Sequence, residues 1–176
     1  MRRLLLVIDM QRDFVDGALG TPEAVAILPT VVRKIQSYPA EDIIATRDTH
    51  GEDYLQTQEG RKLPVVHCVK GTPGWELVPE VAEALGSARV VNKPTFGSVA
   101  LARELAELAE KEPLSIELVG LCTDICVISN ALLLKAVLPE TPISVDASCC
   151  AGVTVDLHQA ALQAMGSCQI EVNEGR

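Results

Sequence analysis

The stretch Arg3-Leu4-Leu5-Leu6-Val7-Ile8-Asp9 settles the class of fold. Its apolar residues run on without alternation and stop at a carboxylate. A run that short, apolar at every position, suits a strand covered on both faces, and such strands belong to parallel sheets packed between helices. Outward from it the pattern alternates. Val25, Ile27, Leu28, Val31, Val32 and Ile35 place a helix over residues 23–37, which Tyr38-Pro39 ends. Residues 42–46 read as a second strand and 89–91 as a third, itself buried. Residues 98–111 read as a helix capped by Ser98, with Leu101, Leu105 and Leu108 on one face. A fourth strand over 115–120 leads into a helix over 124–138 that is apolar nearly all round and hence buried. Strand 143–145, helix 155–165 and strand 168–172 follow. This order predicts one α/β domain over residues 1–176, on a mostly parallel sheet. Residues 47–87 interrupt it with polar residues, Gly and Pro, and a loop region of that length is commonly functional.

A length of 176 residues fits one domain, and 48% apolar with 22% charged residues excludes a disordered or low-complexity chain. No apolar run is long enough to span a membrane, and the start of the chain reads as neither a signal peptide nor an anchor. The net charge of −9 and the lack of a Lys/Arg cluster exclude nucleic acid and anionic membrane as partners. Six cysteines, at 68, 122, 126, 149, 150 and 168, do not form the framework of a small secreted domain. Reduced thiols in a cytoplasmic protein are expected.

In open parallel sheets, ligands collect at the carboxyl ends of the strands, so the residues that close each strand matter most. Asp9 closes the first. A carboxylate there either caps a turn or, partly desolvated, serves as a general base. Asp48 and His50 follow the second strand and point to one side of an extended segment. With His67 they make three candidate ligands with positions left open, the pattern of a catalytic metal site, which Glu59 or a water would complete. Cys68 then faces the other way, into packing. Lys93 follows the third strand, as a surface charge or as a buried cation. The fourth strand ends in Gly120-Leu121-Cys122-Thr123-Asp124-Ile125-Cys126-Val127. With Thr123 or Asp124 as cap, Cys126 falls in the first helical turn, where unpaired N–H groups favour a thiolate and could hold an oxyanion. The alternative is a small buried residue.

Val7-Ile8-Asp9-Met10-Gln11-Arg12-Asp13-Phe14, Lys93 and the Gly120–Val127 segment together resemble the signature segments of the isochorismatase-like cysteine hydrolases. Arg47-Asp48-Thr49-His50, His67-Cys68-Val69-Lys70-Gly71-Thr72-Pro73-Gly74 and Gly17-Ala18-Leu19 resemble the metal-binding branch of that family, the nicotinamidases. The resemblance covers nearly the whole chain. It implies a three-layer α/β sandwich of Rossmann-like topology, with a six-stranded, mostly parallel sheet. It implies Asp9, Lys93 and Cys126 as catalytic residues. Asp48, His50 and His67, with Glu59 in some members, would hold one divalent metal ion, zinc first, with iron and manganese as alternatives. A cis peptide before Cys122 would aim the N–H groups of Cys122 and Cys126 at the oxyanion.

The implied reaction is hydrolysis of a small amide, nicotinamide to nicotinate and ammonia, through a Cys126 thioester. Phe14, Leu63 and Leu121 would form the substrate wall. Leu63 departs from the branch, which carries an aromatic ring shortly before the second metal histidine; Tyr54 and Trp75 are the candidate replacements. Family members are often dimers or tetramers, so self-association is expected. Competing readings are an isochorismatase-type or other small-amide hydrolase, and a metal- or thiol-binding protein without turnover. His158, Asp146, Cys149 and Cys150 read as structural.

Overall fold

A computed structural model describes residues 1–174; the last two residues of the expected domain lie outside the described residues. The strands are β1 (Arg2–Ile8), β2 (Ile43–Asp48), β3 (Arg89–Lys93), β4 (Leu114–Leu121), β5 (Ile143–Ala151) and β6 (Glu171–Asn173). The helices are α1 (Arg12–Val15), α2 (Pro22–Ala26), α3 (Leu28–Gln36), α4 (Gln58–Lys62), α5 (Pro79–Leu85), α6 (Val99–Ala109), α7 (Ile128–Val137) and α8 (Val155–Ser167). The sheet has six strands in the order β3-β2-β1-β4-β5-β6, and every pairing within it is parallel. No helix among the described residues is long and apolar enough to cross a membrane.

The lack of alternation in β1 has the expected cause. Leu4, Leu6 and Ile8 pack on one face with Leu101 and Leu105 of α6, Ala131 and Leu134 of α7, and Met165 of α8. Leu5 and Val7 pack on the other with Val31 and Ile35 of α3 and Val81 and Leu85 of α5. Each face of the central strand thus has its own apolar core, and period two disappears because no face meets water.

Several elements differ from the sequence reading. The helix over 23–37 is two helices, α2 and α3, meeting at Ile27, and Pro29 lies in the first turn of α3. Proline lacks the N–H a continuous helix needs and is tolerated in a first turn. The strand over 143–145 runs on to Ala151 through a bulge. Leu118 pairs with Val145 and Gly120 with Cys150, so two steps along β4 match five along β5. The odd difference swaps the faces of β5, placing Val145 in one core and Cys149 in the other, and erases its periodicity. Helix α5 in the 47–87 region went unread, because only Val81 and Leu85 are buried in it. The last strand begins at Glu171, and Cys168 is instead the exposed C-cap of α8. β3 is an edge strand with Arg89, Val90 and Asn92 exposed, contrary to the buried strand expected, and only Lys93 is enclosed.

Two features hold the carboxyl edge. At Gly120 (φ +117°), a Cβ would stand 2.1 Å from the Ile8 carbonyl oxygen, so β4 runs against β1 only with glycine there. In the β5 bulge, Asp146 accepts from Ser148 N–H (3.0 Å) and Oγ (2.6 Å) and pairs with Lys34 Nζ at 2.7 Å.

Gly120→Ala is expected to destabilise the protein by about 3 kcal/mol or more, or to prevent folding, as read by urea unfolding. Burial alone would raise the Asp146 carboxyl, but Lys34 and Ser148 hold it below the usual carboxylate range. A folded-state pKa below the unfolded value near ~3.9 adds stability above that value and loses it as pH falls through the folded one. Unfolding free energies between pH 5 and 2.5 should therefore fall less steeply for Asp146→Asn than for the wild type, with a cost at pH 7 of about 1–2 kcal/mol.

Candidate active site

Four strand ends deliver the candidate residues to one place. Asp9 directly follows β1 in a left-handed conformation (φ 47°), rare for a residue with a side chain. The Gln11 N–H donates to the Asp9 carbonyl at 2.7 Å, closing a tight turn. The Thr46 hydroxyl accepts the Asp9 N–H (3.2 Å) and donates to Asp9 Oδ1 (2.6 Å), so β2 orients the carboxylate. Lys93, the last residue of β3, is fully buried. Its Nζ stands 2.6 Å from Asp9 Oδ2 and 3.4 Å from both Cys126 Sγ and Asp48 Oδ1, and donates to the Thr95 carbonyl at 3.1 Å. Three residues far apart in the chain thus converge at the point where the connections after β1 and β4 leave to opposite faces.

The charges are balanced by burial. Burial raises the Asp9 carboxyl against the opposing pull of Lys93. Burial would lower Lys93, but Asp9, Cys126 and Asp48 raise it instead, so the ammonium is retained. Burial and the Asp9 charge push the Cys126 thiol well above its ordinary value, and Lys93 offsets only part of this. The net direction at Cys126 is thus opposite to the one a helix end alone would give, and it favours the thiol over the thiolate. Cys126 sits in a π-helical turn, Thr123–Val127, ahead of α7, with Cys122 rather than Thr123 or Asp124 at the cap. The Leu121–Cys122 peptide is cis. Cys122 lines the cavity, its thiol pushed up to about 12 chiefly by burial. Thr123 instead bonds His158 Nδ1 through its hydroxyl at 2.7 Å.

Beside this trio, Asp48, His50, Glu59 and His67 each offer one donor atom, all within 4.8 Å of one another. His50 Nε2 is 2.9 Å from Asp48 Oδ2 and 3.6 Å from Glu59 Oε1, and His67 Nε2 is 3.7 Å from Glu59 Oε1. The Val65 carbonyl at 2.8 Å can only accept, so His67 Nδ1 is the donor there and Nε2 is the nitrogen that faces the cluster. Buried His50 Nε2 makes no hydrogen bond of good alignment. Two imidazoles and two carboxylates aimed at one point suit a divalent cation. The histidine segments are tied by the His50 N–H donating to the Cys68 carbonyl and the Lys70 N–H to the His50 carbonyl, both at 3.0 Å. Cys68 is fully buried in the core, as its reading as a packing residue requires.

Cys126 and the four residues of the second cluster line one cavity of about 530 Å³, whereas Asp9 and Lys93 are fully buried and do not line it. Phe14 and Leu63 line it, and so do Phe96 and Ile125, which the sequence reading missed. Leu121 does not: its side chain is buried in the core with Val7 and Ala151, because it points to the α3 face of β4. Neither Tyr54 nor Trp75 replaces the missing ring. Tyr54 packs its ring 4.7 Å from that of His50 beneath the cluster, and Trp75 lies under the Arg47 guanidinium. The aromatic that does reach the cavity, Phe96, comes from the loop after Lys93. Gln11 also went unread. Fully buried, it accepts the Asp48 N–H at 2.7 Å and donates to the Asp48 and Trp75 carbonyls at 2.9 and 2.8 Å, fixing the backbone of a cluster residue. Its place three residues beyond a buried strand was the available signal.

Solved structures share this fold. The structure superposes on the nicotinamidase/pyrazinamidase of Bacillus subtilis with a TM-score of 0.83 at 26% identity, covering 99% of this chain and 100% of that one. The pyrazinamidase of Pyrococcus horikoshii in complex with zinc gives 0.78 at 29% identity, over 99% and 100%. The yeast nicotinamidase bound to nicotinaldehyde shares the fold, at 0.82 and 18% identity over 98% and 100%. No curated protein sequence matches the chain significantly. The Isochorismatase domain model matches residues 3–174. With that match spanning nearly all of its length, the chain belongs to the isochorismatase family.

Proposed function

We propose that the protein is a metal-dependent cysteine amidohydrolase that converts nicotinamide and water to nicotinate and ammonia. The observation that carries this is Cys126 in the wall of a cavity that Asp48, His50, Glu59 and His67 also line, with the Lys93 ammonium 3.4 Å from its sulfur and 2.6 Å from Asp9. The solved relatives at 26% and 29% identity, a nicotinamidase/pyrazinamidase and a zinc-containing pyrazinamidase, support the same substrate class.

The residues divide the work as follows. The Phe14 and Phe96 rings and Leu63 hold a flat heteroaromatic amide, with its carbonyl carbon at Cys126. Asp9, raised by burial, takes the thiol proton as the sulfur attacks. Lys93 keeps its charge and stabilises the carboxylate–sulfur pair throughout. The N–H groups of Cys122 and Cys126 receive the oxyanion, each such donor typically worth about 3 kcal/mol. Asp9 then returns the proton to the departing ammonia, takes one from the water that cleaves the thioester, and passes it to the released sulfur, which restores the thiol. A divalent cation held by Asp48, His50 and His67, with Glu59 beside them, would supply Lewis-acid orientation of a polar substrate atom or a water.

Ammonia release from nicotinamide, compared with pyrazinamide and ureido compounds, tests the substrate. Cys126→Ala is expected to lower kcat by roughly 10⁴-fold or more in a folded protein; turnover near the wild-type rate would overturn the thioester route. Treatment with a chelator should remove activity, and zinc, manganese or iron should restore it. Gln11→Leu removes three hydrogen bonds, two to the Asp48 backbone and one to the Trp75 carbonyl, and is expected to weaken cation binding by about 10- to 100-fold, as read by equilibrium dialysis.

A further inference from the structure

Lys93 and Cys126 meet although their strands, β3 and β4, are separated in the sheet by β2 and β1. No strand pairing fixes their distance. Each is followed by non-strand chain, the loop of residues 94–98 after Lys93 and the turn that carries Cys126. One side chain joins the two. Asn130 on α7 is 3% exposed and uses its whole amide. Its Nδ2 donates to the Cys126 carbonyl at 2.8 Å and to the Phe96 carbonyl at 3.0 Å, and its Oδ1 accepts the Ser98 N–H at 2.9 Å. Two carbonyls can only accept and an N–H can only donate, so the orientation of the amide is set by its partners.

The tied loop serves the site twice. It supplies the Thr95 carbonyl that accepts from Lys93 Nζ at 3.1 Å, and it carries Phe96 into the cavity wall. It also lies close against α7, since a Cβ at Gly97 would stand 3.2 Å from the Ser129 carbonyl oxygen. We infer that Asn130 is a positioning residue that sets the reach of Lys93 to Cys126, by bonding residues 94–98 to the nucleophile's own turn. Among its hydrogen bonds, the one to a reacting residue goes to the backbone of Cys126. Losing it frees the loop, lets the ammonium follow Thr95, and leaves the sulfur beside a misplaced cation.

The kinetic test rests on the amidohydrolase reading. Asn130→Ala should lower kcat by about 10- to 100-fold, the scale for a displacement of about 1 Å in a catalytic group. Asn130→Thr keeps a donor for the Cys126 carbonyl four residues back and loses the bonds to the loop; it should not restore kcat. A merely structural role would lower the unfolding temperature and leave kcat, measured well below that temperature, within about twofold of wild type. That result, or recovery in Asn130→Thr, overturns the inference. If Asn130→Ala does not fold, Gly97→Ala presses on the same contact from the loop side and should lower kcat in the same direction; an unchanged kcat overturns the proposal. Absence of ammonia release by the wild type itself would instead sink the amidohydrolase reading. In that case a crystal structure of Asn130→Ala or Gly97→Ala decides: residues 94–98 displaced from Cys126 support the tie, and an unmoved loop overturns it.

Discussion

The ion pair between Asp9 and Lys93 is the constraint on which the site depends. Both side chains are fully buried at 2.6 Å, and neither charge could be held there alone. Breaking a buried pair by removing one partner typically costs about 3–5 kcal/mol, because the other charge is left without compensation. The pair also does structural work at the sheet's carboxyl edge. β3 is an exposed edge strand, and its enclosed last residue is the one that reaches across β2 to the end of β1. The Lys93 carbonyl in turn accepts the Thr49 N–H at 2.9 Å, which starts the segment that carries His50.

The chemistry follows from how the remaining charges share that ammonium. Asp9, Asp48 and Cys126 all face it. Burial tends to raise Asp48 as well, but pairing with His50 and Lys93 holds its carboxyl below the usual range, whereas Asp9 is raised. Two carboxylates near one lysine are thus pushed apart in basicity. The more basic one lies beside the thiol, and the more acidic one belongs to the metal-type cluster. This division gives one group suited to moving protons and one suited to remaining an anionic ligand.

Much of this was legible along the chain. The unbroken apolar run of residues 4–8 reported a strand covered on both faces, and the strand ends at Asp9, Asp48, Lys93 and Cys122 named the edge where the site lies. These signals are local: a strand's burial and its last residue are written in consecutive positions. The resemblance to a known family added the roles, and the domain match over residues 3–174 bears out the family. Leu121 was misplaced because adjacent strand residues face opposite cores, and the sequence carries no mark of which core borders the cavity. Phe96 and Asn130 were missed because each sits in an unremarkable context, a short loop and an apolar helix.

By itself, then, the sequence determined the α/β class with its parallel sheet, since burial and period are written in consecutive positions, and through the resemblance of its motifs it pointed to the family and to the residues able to do acid–base, nucleophilic and ligand chemistry. Only the tertiary structure decided that Lys93 bridges Asp9 and Cys126, that Phe96 rather than Tyr54 or Trp75 brings the second ring to the cavity, and that burial raises the Cys126 thiol where a helix end alone would lower it. Distance, desolvation and the side of the sheet a residue faces arise between segments that are remote in the chain, and come into being only when those segments pack.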